Sequence, residues 1–264
     1  MPSNLNHPLG YLAAKRALEV GRVGFFPSPL FDLPVRTSTI LAGDDLIPQF
    51  GYVGTNYQPL RVLLLGINPG NGPEKAKARS AGDVQMMPAH HRFVEVRSAR
   101  AFLDAQNAYK SVCQSWAVWG HHCAELLANN HLSIEQIAYS NCLPWRTASQ
   151  SAFDDSIAAR AAELYAIPLI EELKPKIIVA VGKKAAKILG YAAIAMPPIV
   201  VWNRARSLTD SVAKERQAAA AKFGELLEAN RNEIVQLVAQ VRSLRSRDTA
   251  CEVFAYLLTC CYGV

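Results

Sequence analysis

The sequence has no C-x-x-C pair, although it contains six cysteines: Cys113, Cys123, Cys142, Cys251, Cys260 and Cys261. Zinc and iron–sulfur sites usually draw on cysteines at characteristic short spacings, so these spacings favour reduced, mostly buried thiols. Two histidine pairs, His90-His91 and His121-His122, have no carboxylate cluster beside them, and adjacent histidines on regular structure rarely hold one ion. We therefore expect neither a metal nor another cofactor.

Long apolar runs and a secretory leader are also missing. Lys, Arg or Pro interrupts the longest apolar stretches, so no membrane-spanning helix is expected. The N-terminus lacks the basic-then-apolar pattern of a secretory signal, which makes the cytoplasm the expected compartment. The segment Gly182-Lys183-Lys184 is not a phosphate-binding loop, because the upstream glycine and the following Ser or Thr are absent.

Hydrophobic residues are plentiful: they make up 50% of the 264 residues, against 19% charged. A chain of this length and composition can bury the core of one large α/β domain. The formal net charge is +6, which permits an anionic partner such as nucleic acid without identifying one.

Short apolar runs alternate with helical patterns along the middle of the chain. Strands are predicted at 61–65, 137–142, 176–181 and 198–202, with helices at 98–127, 154–172 and 183–189. This alternation predicts a three-layer α/β/α fold around a central four-stranded parallel sheet. We expect a core over 59–206, an irregular N-terminal lead-in over 1–58 packed on it, and a C-terminal helical region over 207–264. Residues 71–97 are predicted to form a long loop.

Polar residues lie at the ends of three predicted strands. Asn68 follows the first strand, Asn141 lies on the second, and Asn203 follows the fourth together with Arg204 and Arg206. Because the carboxyl ends of parallel strands meet at one edge of a sheet, the three asparagines are expected to line one cleft. Each asparagine also has a simpler explanation, as a turn residue, a backbone partner or a cap.

Four segments in this region together resemble the uracil-DNA glycosylase superfamily. Gly66-Ile67-Asn68-Pro69-Gly70 resembles the first active-site motif of its mismatch-specific uracil/thymine branch. The segment 139–146 is similar to the second-strand segment that carries a base-reading Asn, and 175–186 is similar to the third-strand segment. The segment 88–93 resembles the His/Pro-containing loop after the first motif. The resemblance covers about 61–206.

This resemblance implies a monofunctional DNA glycosylase of base excision repair, a hydrolase that acts on N-glycosyl bonds. Such an enzyme flips uracil or another damaged or mismatched base out of the duplex and hydrolyses its bond to the sugar. The implied partner is damaged or mismatched DNA. We expect the protein to act as a nucleoid-associated monomer without a cofactor.

The resemblance also implies roles for individual residues. Asn68 would orient the attacking water, and Asn203, at the first position of the final motif, is the second catalytic candidate. The base-binding candidates are Gly66, Ile67, Met86, Phe93 and Asn141. Met86 falls near the position of the aromatic that stacks on the base, and Phe93 is the nearby aromatic alternative. The DNA-binding candidates are Gly70, Asn71, Arg204 and Arg206.

The final motif departs from the family pattern. It is Asn203-Arg204-Ala205-Arg206 here, whereas His or Asn followed by Pro-Ser is usual in the family. Two alternatives therefore stay open. One is a catalytically weak or inactive nucleic-acid-binding protein of the same fold. The other is an α/β enzyme for a small nucleotide-like molecule, in which the Gly/Asn loop holds phosphate.

Overall fold

A five-stranded, mostly parallel sheet forms the centre of the protein and confirms the predicted α/β fold. The computed structural model describes residues 10–15, 49–68, 81–113, 119, 123–144, 155–205 and 207–245. The strands are β1 (Tyr52–Val53), β2 (Val62–Gly66), β3 (Ile137–Asn141), β4 (Ile177–Val181) and β5 (Ile199–Trp202). Their order across the sheet is β1-β3-β2-β4-β5.

Strands β2 to β5 are parallel and lie where the apolar runs predicted strands. Gly66 in β2 pairs with Asn141 in β3, and Leu65 pairs with Ala180 in β4. Every residue of β2 is buried, as expected for a strand covered on both faces.

The predicted sheet lacked one strand, because β1 lies in the segment predicted to be an irregular lead-in. β1 is only two residues long and pairs antiparallel with β3. A strand this short has no periodicity that a sequence pattern can detect. The buried side chain of Gln106 supports it by accepting a hydrogen bond from the Val53 amide at 2.8 Å and donating one to the Gly51 carbonyl at 3.0 Å.

The helices lie mainly between the strands. They are α1 (Ala81–Val96), α2 (Ala99–Cys113), α3 (Ala124–Asn129), α4 (Asp155–Ala161), α5 (Ile167–Leu173), α6 (Lys183–Leu189) and α7 (Asp210–Arg245), and a π-helical turn, Ala162–Ala166, joins α4 to α5. Residues 10–15 are also helical.

The loop predicted over 71–97 is wrong for its second half, which forms α1. Pro88 and the mixed polar composition of this segment hid a helix there. Its buried residues include Met86, His90 and Phe93, at the three- and four-residue spacing of a helix, and Met87.

Apolar side chains form two clusters, one on each face of the sheet. The first cluster includes Leu63, Leu65, Ala138, Ile178, Phe93, Phe102 and Tyr165. The second cluster includes Leu64, Tyr139, Val179, Trp202, Met86, Tyr109 and Phe223. Alternate strand residues face opposite clusters, and helices contribute to both, so the sheet is covered on its two sides.

The long helix α7 packs on the second cluster through Phe223 and Leu227, which are almost completely buried. Asn230 fixes it further, because its side-chain amide donates a hydrogen bond to the Leu60 carbonyl at 2.7 Å. Within the described ranges, no helix combines the length and apolar character needed to cross a membrane.

The strand order determines where a crevice opens. The chain passes from β2 to β3 on one side, then returns past β2 to β4 and continues outward to β5. The direction of winding therefore changes between β2 and β4. In open α/β sheets this change places a crevice beyond the carboxyl ends of the strands. We call this end of β2, β3, β4 and β5 the carboxyl edge.

Candidate functional site

Gly66 ends β2 at the centre of the carboxyl edge, and its missing side chain leaves space for two polar groups. A Cβ atom at this position would lie 2.5 Å from Asn141 Oδ1 and 3.3 Å from the Tyr139 hydroxyl. Cβ contacts below 3.0 Å essentially never occur in proteins. The glycine is therefore required for the Asn141 amide and the Tyr139 hydroxyl to converge over the end of the strand.

The side chain of Asn141 lies at the carboxyl edge and is largely buried. Asn141 is only 4% exposed, and no described residue forms a hydrogen bond with its side chain. This amide is consequently available to a ligand at the carboxyl edge.

The pairing of β2 with β3 continues beyond the two strands and positions Asn68. The Cys142 amide donates to the Gly66 carbonyl at 2.8 Å, and the Leu143 amide donates to the Ile67 carbonyl at 2.9 Å. Asn68, which is 8% exposed, therefore emerges on the same edge as Asn141. The expected DNA-binding residues Gly70 and Asn71 lie outside the described residues.

Asn203 occupies the carboxyl edge after β5, but its amide is engaged within the protein. Its Nδ2 donates to a Glu215 carboxylate oxygen at 2.7 Å, and its Oδ1 accepts from the Ala205 amide at 3.0 Å. The hydrogen bond from Asn203, together with Lys183, lowers the pKa of Glu215. This geometry matches the capping explanation and gives no support to the expected catalytic role of Asn203.

Arg204 crosses the end of β4 rather than extending away from the domain. A Cβ at Gly182 would lie 3.0 Å from Arg204 Cδ and 3.1 Å from Arg204 Cγ. Gly182 also has a φ of +108°, a conformation that favours glycine. Burial raises the pKa of the Tyr139 hydroxyl above its usual range, and the charge of Arg204 opposes this rise. Arg206, the other basic residue of this motif, lies outside the described residues.

Two adjacent residues of α7 fix the loop that carries Arg204. Glu215 accepts the hydrogen bond from Asn203, while Arg216 donates from Nε to the Asn203 carbonyl at 2.9 Å and from Nη2 to the Ala205 carbonyl at 3.0 Å. The Arg216 side chain is 11% exposed and lies over the Trp202 ring. The sequence carries no signal for this contact, because Glu215 and Arg216 resemble the charges of any solvated helix.

The two candidates for stacking on a base lie on opposite faces of the sheet. Met86 belongs to the second cluster, which also contains Tyr139. Phe93 belongs to the first cluster, where it packs edge-on against Phe102 with ring centroids 5.6 Å apart. Both residues are fully buried. The position of Phe93 is that of a core residue, whereas Met86 shares a face with the candidate site.

Trp119 is an aromatic neighbour of the site that sequence reasoning missed as a functional candidate. Its ring centroid lies 5.1 Å from that of Tyr139. Its buried Nε1 has no hydrogen-bond partner within the described part of the chain. The sequence pattern identified Trp119 only as an apolar position on a predicted helix.

The described cysteines and acidic residues form no metal centre. Cys113, Cys123 and Cys142 are buried thiols, and burial raises the pKa of Cys123 to about 12. Across the described ranges, no group of three or more His, Cys, Asp or Glu side chains is arranged to hold a metal ion.

Comparisons with known proteins add no relative. No protein-family model matches the sequence, and a search of curated proteins finds no match. The resemblance to uracil-DNA glycosylases therefore depends on the four sequence segments alone.

Proposed function

We propose that this protein is a DNA base glycosylase that removes uracil or another damaged or mismatched base. The observation that carries this proposal is the side-chain amide of Asn141, which lies beside Gly66 and forms no hydrogen bond with a described residue. An amide offers one acceptor and two donors, so it can pair with the neighbouring carbonyl and N–H groups of a pyrimidine edge. A base held there would supply the hydrogen-bond partners that the described residues do not supply.

In the proposed mechanism the enzyme flips the nucleotide so that its base reaches the carboxyl edge. Asn68 orients a water molecule toward the anomeric carbon of the sugar. An amide accepts no proton at neutral pH, so Asn68 positions this water and does not act as a general base. The net charge of +6 favours association with DNA phosphates.

An excision assay tests the proposal. Purified protein is incubated with oligonucleotides that contain uracil, mismatched thymine or other deaminated bases, and abasic product is detected by alkaline cleavage. We expect Asn68→Ala to slow excision on the order of 100-fold, the usual effect of removing a preorganised polar group from an active site. Asn203→Ala is the matched control and should slow excision less, because its amide is engaged by Glu215 and Ala205.

The proposal is wrong if the protein releases no base from any substrate in the panel. Equal slowing by Asn68→Ala and Asn203→Ala would contradict the assignment of Asn68 as the residue that orients the water.

The engaged amide of Asn203 supports a second function, a nucleic-acid-binding protein of the same fold with little or no catalysis. This residue occupies the first position of the final motif, and its amide already forms hydrogen bonds with Glu215 and Ala205. Salt-dependent binding of oligonucleotides without abasic product would favour this function over the first.

A further inference from the structure

We propose that Arg204 lies against the departing base and neutralises the negative charge that develops on it. This inference rests on the proposed glycosylase function. It assigns to Arg204 a different role from the contact with DNA phosphates that the sequence led us to expect.

The sheet order brings Arg204 toward the same point as Asn141. β2 lies between β3 and β4, and Gly66 marks its carboxyl end. Asn141 approaches this end from β3, whereas Arg204 follows β5 and crosses Gly182 at the end of β4. A base in the crevice would therefore lie between a neutral amide and a guanidinium group.

The charge of Arg204 affects buried groups of the second cluster, near the carboxyl edge. It lowers the pKa of both the Tyr139 hydroxyl and the Cys123 thiol against the larger effect of burial, and both groups belong to the second cluster. No described carboxylate lies within ion-pair distance of Arg204. A cation that is partly removed from water interacts more strongly with a nearby anion than one in bulk solvent.

Hydrogen bonds hold the backbone on either side of Arg204, and this sets the point from which its side chain leaves the loop. Arg216 holds the carbonyl groups of Asn203 and Ala205, the two residues that flank Arg204. Gly182 provides the space that the Arg204 side chain crosses. Arg216 and Gly182 are therefore positioning residues that act through Arg204.

The reaction shows why a cation is useful at this place. The bond between the anomeric carbon and the base nitrogen breaks, and its electron pair leaves with the base. Water oxygen forms a bond to the anomeric carbon and releases a proton, which finally neutralises the base. Negative charge thus accumulates on the base before it is protonated, and preorganised positive charge at that position lowers the barrier.

The dependence of the rate on the leaving group tests this inference. Single-turnover excision is measured for uracil and for 5-fluorouracil, whose ring nitrogen is more acidic, so that its anion needs less stabilisation. We expect Arg204→Gln to slow uracil excision on the order of 100-fold and 5-fluorouracil excision clearly less. Arg204→Lys keeps the charge and should retain more activity than Arg204→Gln.

Two further variants serve as controls. Arg206→Gln removes a charge from the same motif and should weaken DNA binding and reduce its salt dependence, with the leaving-group dependence unchanged. Gly182→Ala displaces the Arg204 side chain without removing it, and should reproduce the direction of the Arg204→Gln effect. Circular dichroism and thermal unfolding establish that each variant is folded.

Equal slowing of both bases by Arg204→Gln, or an effect on DNA binding alone, would overturn the inference. An inactive wild-type protein would overturn the proposed function and this inference together. If the wild-type protein is active and Arg204→Gln leaves the ratio of the uracil and 5-fluorouracil rates unchanged, only this inference is overturned.

Discussion

We expect His90 to make the stability of this protein sensitive to acid. The residue lies on the buried face of α1 with no exposed surface, and its ring stacks on Phe50 with centroids 4.6 Å apart. Its Nδ1 lies 3.3 Å from the Met86 carbonyl, which assigns the ring proton to Nδ1. Nε2 is buried without a hydrogen-bond partner among the described residues. Protonation of Nε2 would therefore place an unpaired charge in an apolar environment.

The pKa of His90 gives the size of this effect. Burial lowers it from 6.5 to about 4, and the hydrogen bond to Met86 opposes only part of that shift. Between these two values the unfolded chain binds a proton that the folded protein excludes. The free energy of unfolding therefore decreases as the pH falls through this window, by roughly 3 kcal/mol in total. Below the lower value this group causes no further loss.

Urea unfolding between pH 7.5 and pH 4 measures the effect. The comparison is between wild type and His90→Phe, which keeps a planar ring against Phe50 but cannot be protonated. We expect the stability of wild type to fall by roughly 3 kcal/mol more than that of His90→Phe over this range. His131→Asn is the matched control, because His131 is exposed and its φ of 54° is one that Asn tolerates.

The control should keep the pH dependence of wild type. Parallel stability curves for wild type and His90→Phe would refute the reasoning, because they would show that protonation of His90 is not coupled to unfolding.

Two other predictions concern the site and its supporting structure. Gly66→Ala places a Cβ 2.5 Å from Asn141 Oδ1, so it should cost about 1–3 kcal/mol by overpacking and reduce base excision, with urea unfolding and the excision assay as measurements. Burial would raise the pKa of Glu135, but hydrogen bonds from Lys110, Thr55 and Tyr52 lower it to about 2. The ionised carboxylate stabilises the folded protein above pH 4.5, and this stabilisation is lost as the pH falls toward 2. Glu135→Gln should therefore lower the free energy of unfolding at pH 7 by about 1–2 kcal/mol, a value reduced because the carboxylate is partly exposed to solvent. The variant should also show a weaker pH dependence of stability below pH 4.5. An unchanged stability of Glu135→Gln at pH 7 would contradict the second prediction.

The sequence by itself determined the parallel part of the sheet and the location of the candidate site. A strand that is buried on both faces is mostly apolar, so runs such as 62–65 and 177–181 are visible without any tertiary information. Asn68 follows the first of these runs, Asn141 is the last residue of β3, and parallel strands bring their carboxyl ends to one edge. These two features depend on local composition and on a general rule of sheet topology.

Only the tertiary structure decided which polar groups at that edge remain available to a ligand. Asn141 and Asn203 are the same residue type at similar positions, but only Asn203 faces a carboxylate, supplied by Glu215 of α7. Likewise, Arg204 lies over Gly182 because neighbouring strands place the two loops side by side. Hydrogen-bond partners from distant segments leave no periodic trace in the sequence, because the geometry of packing selects them and the local pattern of burial does not.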